Sequence, residues 1–378
     1  MKRGIKRMLT ILIVMFLAVF MTGCQQSNYI ENHAYTLLMG MDMDDDGVWR
    51  LTVRIPRISS GGSGAGNGGG NQESEYLTFS SVGKDFNEAL MMLEAGMPRT
   101  LNLSGMTLIA VSDKIAASRD MYDLILQLAD NYSIYGSTRM AICEGNAGQF
   151  VEQQETVIGT SLSEGIASRL QNSARLGYIP QSRLADIFYD TVSIYSDPMA
   201  VLCTLAQNED SMAPGDTSVQ RLSVKSESKN RYMGAAVMRD GIMVGKLTGM
   251  QTVFVNILKG DVDGFSYTMD GISIQMAGLS KPAISIDTGA GAPSIDILLK
   301  FSAMGTPESP DIEKLTDELT EKFMETLSVC QQMGAEPFGF AELAASDFFT
   351  IASWQSYNWR EAFSIAEINL KIDITAIE

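Results

Sequence analysis

Asp42, Asp44 and Asp46 stand at alternate positions and Gly47 follows, matching positions 1, 3, 5 and 6 of a calcium-binding EF-hand loop. Position 12 of such a loop supplies a bidentate glutamate, and here it is Val53. The flanks alternate like strands, so the acidic run reads as a hairpin turn. His33 is the only histidine, which leaves no HExxH pair, and it reads as an exposed residue of a stem. The glycine-rich run 59–72 lacks the Gly-Lys-Ser/Thr ending of a phosphate-binding loop. No Gly-x-Ser-x-Gly nucleophile elbow occurs, and the 45 Asp and Glu are scattered without a spacing that marks a glycosidase pair. These absences exclude the familiar catalytic patterns, and the expectation is a non-enzymatic chain with no metal.

Cys24 is the residue whose surroundings specify a reaction. Lys2, Arg3, Lys6 and Arg7 precede a short apolar run that ends at Thr22-Gly23-Cys24. A basic start, a short apolar core and small residues at the end describe a secretory signal, since a complete span needs about 20 apolar residues. A thiol directly after Thr-Gly resembles a bacterial lipoprotein lipobox, in which the cysteine is lipidated and opens the mature chain. Residues 1–23 are then a lipoprotein signal peptide, and Cys24 carries diacylglycerol and N-acyl lipid. Each buried methylene contributes about 0.8 kcal/mol, and two or more acyl chains make the attachment stable. No other cofactor is expected.

The chain has 378 residues, 28 Lys and Arg, and a net charge of −17, which loss of the signal makes more negative. Phosphate backbones and anionic headgroups repel such a body, so nucleic acid is not a partner and membrane contact depends on the lipid or on a protein. If Cys24 is acylated, Cys143, Cys203 and Cys330 remain, an odd number that cannot all pair within one monomer. Cys143 in the run MAIC and Cys330 on an apolar helix face read as buried free thiols.

The elements divide the chain into a tether at 24–33, an N-terminal α/β region at 34–208 containing the glycine-rich loop 59–72, a linker at 209–220, and a C-terminal α+β region at 221–378. AYTLLMGMDMDDDGVWRLTVRI reads as a hairpin around Asp46-Gly47, and RYMGAAVMRDGIMVGKLTG as a second around Asp240-Gly241. KDFNEALMMLEAG and MYDLILQLAD read as helices between strands, and a further helix begins at Ser161 or Ser163. FVNILKGDVDGFSYTM and PSIDILLKFSAM read as strands. Ser309 caps a helix with Pro310 and Asp311 in its first turn, whose buried stripe is Ile312, Leu315, Leu319, Phe323, Leu327 and Cys330. Ile368, Leu370, Ile372 and Ile374 alternate with polar residues as a last strand. The fold class is α+β and multidomain, with sheets of mostly antiparallel or mixed strands packed against helices. Trp354, Tyr357 and Trp359 read as core or domain interface rather than as a ligand platform.

In order along nearly the whole mature chain, these segments resemble the Ger(x)C family, the C subunit of the spore germinant receptor. The resemblance runs from Cys24 through the acidic hairpin and the glycine-rich insert to KDFNEALMMLEAGMPRTLNLSGMTLIAVSDKIA, with Pro98 and Arg99 at its turn. It continues in the second hairpin, including Gly245 and Leu247, and in QQMGAEPFGF, where Gln331, Phe338, Gly339 and Phe340 fit and Glu336-Pro337 departs from the common acidic–apolar sequence. Trp354, Trp359 and Phe363 match the family's aromatic spacing before the terminal strand. The resemblance implies three α/β-type domains, no enzymatic activity, and a lipid anchor at the outer face of the spore inner membrane. It implies as partners an integral-membrane A subunit and a transporter-like B subunit, with the chain scaffolding or coupling them. A lipid-anchored solute-binding module that captures a nutrient directly is the alternative.

Overall fold

The computed structural model describes residues 32–57, 75–130, 133–155, 161–206, 215–222, 228–289, 291–306 and 311–377. Cys24, the tether up to Glu31 and the glycine-rich run 59–72 lie outside the described residues.

The first part of the chain runs through β1 (His33–Tyr35), β2 (Leu38–Met43), β3 (Trp49–Pro56), β4 (Tyr76–Gly83), α1 (Phe86–Gly96), β5 (Thr100–Asn102) and β6 (Leu108–Ser112). It continues through α2 (Asp113–Ala116), α3 (Asp120–Asp130), β7 (Arg139–Glu144), α4 (Ala147–Glu152), α5 (Leu162–Arg175), α6 (Leu184–Val192) and β8 (Met199–Leu205). Eight strands join in the order β10-β9-β8-β7-β6-β2-β3-β4, where β9 is Asn230–Arg239 and β10 is Ile242–Leu247. The centre, β2, β6, β7 and β8, is parallel, and the flanking strands are antiparallel. A parallel centre needs both faces covered. Phe86, Leu90, Leu124, Ile125, Leu184 and Ile187 from α1, α3 and α6 build one core, and Phe150, Leu162, Ile166 and Leu170 from α4 and α5 build the other.

Local chemistry places several of these elements. In the β2–β3 hairpin, Gly47 takes φ +79°, and Asp44 Oδ1 accepts from the backbone N–H of Asp46 at 3.0 Å and of Val48 at 2.9 Å. Asp44 is thus committed to its own turn, the ordinary role of an acidic residue there. Ser161 caps α5, its side chain accepting from Glu164 N–H. His33, at the end of the expected tether, opens β1, which pairs in parallel with β5. The residue is half-buried rather than exposed.

The expected linker does not separate two sheets. Strands β8 and β9, on either side of 209–220, are hydrogen-bonded neighbours, and the hairpin read as the start of a C-terminal unit completes the first sheet. Without that hairpin β8 would present a free edge, and covering such an edge is what a nearby hairpin does most cheaply.

Beyond it come α7 (Gly249–Lys259), β11 (Gly264–Met269), β12 (Ile272–Gly278), β13 (Ala283–Asp287), β14 (Ser294–Thr306), α8 (Ile312–Met333), α9 (Phe340–Ala345), α10 (Ile351–Tyr357), α11 (Trp359–Ser364) and β15 (Glu367–Ala376). The second sheet has the order β11-β12-β14-β13, and β15 pairs in parallel with β14. Leu315, Leu319, Phe323, Leu327 and Cys330 of α8 are fully buried against it. The helix is capped by Asp311, which accepts from Lys314 N–H at 3.2 Å, so Asp311 precedes the first turn that it was expected to occupy. The expected cap Ser309 and Pro310 lie outside the described residues.

The segment FVNILK, read as a strand, is helical in α7. Thr248 and Gln251 form a capping box at its start, and Gly260, at φ +76°, closes it. Every residue from Thr252 to Leu258 is buried, so no polar face remains to reveal a helical period. The helix is enclosed because it packs against both sheets. Its surroundings include Met199, Val237 and Leu247 of the first sheet together with Ile295, Leu299 and Phe323 of the second unit. Phe254 lies 4.2 Å from Phe323 and meets Phe265 edge-on at 5.9 Å.

Candidate functional site

Most of the residues singled out in the C-terminal third converge where the helices after α8 meet the first sheet. Gly334, at φ +64°, ends α8 and turns the chain into Glu336-Pro337-Phe338. Glu336 is 2% exposed, and its two oxygens accept from the backbone N–H groups of Phe338 at 2.8 Å, Phe340 at 3.1 Å and Ala341 at 2.9 Å. It therefore organises the turn that enters α9. Gly339 takes φ +82° as the residue before that helix, a conformation strained for any side chain with a Cβ. Phe338 and Phe340 stack at 5.0 Å, and Phe363 of α11 sits 6.2 and 6.3 Å from them. Gln331 joins α8 to the end of α11, its Nε2 donating to the carbonyls of Phe363 and Ala366 at 2.9 and 3.0 Å.

These helices grip the segment 194–197 that leads into β8. Trp354 Nε1 donates to the Ile194 carbonyl at 3.3 Å, and its ring stacks on Tyr195 at 5.9 Å and on Trp359 at 5.9 Å. Asp197 Oδ2 accepts from Glu336 N–H at 2.9 Å, and Asp197 Oδ1 from Arg360 Nη2 at 2.8 Å. The other arm of Arg360 reaches Asp240 at the β9–β10 turn. One guanidinium fork thus ties α11 to two loops of the first sheet. Asp197, Asp240 and Arg360 were not found by sequence reasoning. The only signals were a charge beside Trp359 and another before Pro198.

Burial raises the Glu336 carboxyl to about 7, with nearby Asp197 adding to the rise and the three N–H groups opposing it. Burial also pushes Asp197 up against the pull of Arg360. The folded chain accordingly keeps on Glu336 a proton that an unfolded chain, titrating near 4.5, has released. The contribution of this group to stability is greatest below pH 4.5 and is lost as pH rises to about 7, roughly 3 kcal/mol in all. Urea unfolding at about pH 5 and about pH 8 should show that loss, and Glu336→Gln should flatten it. An unchanged slope in the variant would remove Glu336 as its source.

Two family models match this chain: the spore germination protein N-terminal domain over residues 26–205, and the spore germination B3/GerAC-like C-terminal domain over residues 233–378. The chain belongs to the Ger(x)C family. A Bacillus subtilis (strain 168) relative, YfkR, whose name assigns it provisionally to spore germination, is 21% identical over 96% of this chain and 94% of its own. The crystal structure of the GerBC protein shares the fold, with a TM-score of 0.52 and 13% identity, covering 90% of this chain and 97% of that one. This Ger(x)C chain is thereby a germinant-receptor subunit of the C type with a role in spore germination.

The remaining expected positions of the Ger(x)C chain lie apart from the junction. Pro98 and Arg99 are exposed in the bend between α1 and β5. Asp42 turns inward, its carboxylate accepting from Ala147 and Gly148 N–H at 2.7 and 2.8 Å, and so is not aimed at a cation with Asp44 and Asp46. Cys143 and Cys203 are register partners on β7 and β8, buried as free thiols, and burial pushes Cys203 well up. Burial holds Cys330 at about 12, and a thiol that stays protonated is a poor nucleophile.

Proposed function

We propose that this chain is a lipid-anchored, non-enzymatic subunit that couples or scaffolds the membrane subunits of a germinant receptor. The reading is supported above all by the closed way in which the two sheets are joined. The buried α7 lies between them, and the fork of Arg360 binds α11 to the loops before β8 and after β9. A body built so moves as a unit, and force or displacement applied at one sheet reaches the other. Lipid at Cys24 confines it beside an integral-membrane A subunit and a transporter-like B subunit at the outer face of the spore inner membrane, raising their mutual concentration. The acidic surface keeps the body off anionic headgroups, so orientation comes from the anchor and the partners.

Cys24→Ala tests the anchor. The variant should accumulate folded but leave the membrane fraction of spores, and the nutrient response should fall at least tenfold. A Cys24→Ala chain that stays with the membrane and germinates normally would refute this reading.

A further inference from the structure

We propose that the crevice outside the carboxyl ends of β2 and β6 binds a small zwitterion, a molecule carrying both a carboxylate and an ammonium group. The site goes beyond the coupling role and does not depend on it. From β2 the chain builds outward through β3 and β4, then returns to place β6 on the opposite side of β2 and continues through β7 and β8. That reversal is a topological switch point, where connections leaving neighbouring strands in opposite directions open a cleft at the carboxyl ends of a parallel sheet. The cleft is present, with a volume of about 320 Å³, and is lined in part by Asp42, Asp44, Arg50, Ser112, Asp113 and Asn146. This is the small end of the range for ligand sites.

An unmet hydrogen-bonding group in the lining points to a ligand. Ser112 is 4% exposed, and its buried Oγ has no hydrogen-bond partner. It stands at the capping position of α2 without capping it. Buried hydroxyls in folded proteins are nearly always paired, so one left open at the edge of a cleft has a donor or acceptor to receive.

The charges define the class of ligand. Asp42 is fixed by two backbone N–H groups, Asp113 accepts from Lys246 at 3.2 Å, and Lys114 is drawn to Asp45 at 2.8 Å across the rim. Arg50 lies near enough to act on Asp42, yet its guanidinium makes no hydrogen bond among the described residues. An anion alone would meet Asp42, Asp44 and Asp113. A simple cation would leave Arg50 uncompensated. A zwitterion answers both, its carboxylate on the planar fork of Arg50 and its ammonium among the aspartates, within reach of Ser112. Among the described residues, no group of three or more acids, histidines or cysteines is arranged to hold a metal ion.

Calorimetry on the full-length lipidated protein in detergent micelles tests this, with glycine, serine and β-alanine as probes and acetate and methylammonium as half-molecules. At least one zwitterion should bind saturably, and both half-molecules should bind at least tenfold more weakly. Arg50→Gln and, independently, Ser112→Ala should each weaken binding at least tenfold with unchanged thermal midpoints, while Lys371→Gln in the second sheet should leave it unaltered. Absence of saturable heat with all three zwitterions would overturn the proposal. So would equal binding of a half-molecule, or full affinity in both crevice variants.

Discussion

Arg360→Ala should destabilise the folded chain by about 2–4 kcal/mol, far more than loss of a surface ion pair. Its partner Asp197 has a side chain only 2% exposed, and removal of the guanidinium leaves that carboxylate beside buried Glu336 without a compensating cation. Breaking a buried pair from one side costs about 3–5 kcal/mol, and the estimate is reduced because Arg360 itself is about one-third exposed. Arg360→Lys should recover only part of the loss, since an ammonium cannot serve Asp197 and Asp240 with the two arms of a fork. The urea midpoint measures both effects. Arg360→Ala within about 0.5 kcal/mol of the parent would mean that the junction does not hold the two sheets together.

Phe254→Ala should cost about 3–5 kcal/mol, the range for truncating a buried aromatic. The ring touches Phe323 and Phe265 of the second unit from a helix that also packs on the first sheet, so the cavity would open at the common core. The form of the transition carries as much information as its midpoint. If α7 binds the sheets into one cooperative body, tryptophan fluorescence and far-UV circular dichroism should report the same shifted curve. Two separated transitions in the parent protein would show that the sheets unfold independently and would remove the basis for rigid coupling.

Much of this architecture could be read from local patterns. Asp46-Gly47 and Asp240-Gly241 announced their hairpins because turn geometry selects residues that tolerate positive φ, and Gly47, Asp240 and Gly241 all adopt it. The stripe from Leu315 to Cys330 was visible because α8 has one dry side and one wet side. The same principle explains the failure at FVNILK: a helix dry on every side carries no period, and its β-branched residues then favour the strand reading. The boundary at 209–220 misled because a polar, turn-rich connection looks alike whether it joins two domains or two neighbouring strands. The charged junction was beyond such patterns altogether. Arg360 meets Asp240 and Asp197 across 120 and 163 residues, and no spacing rule relates positions that only the finished fold brings together.

The final strand carries a consequence for biogenesis. β15 is laid in parallel along ten residues of β14, with all of α8 and three short helices intervening. A chain emerging in order from the ribosome or an export channel cannot close its second sheet until the last residues are free. A nascent chain stalled short of Glu367 would display the bare edge of β14, a template for pairing with whatever extended segment is nearby.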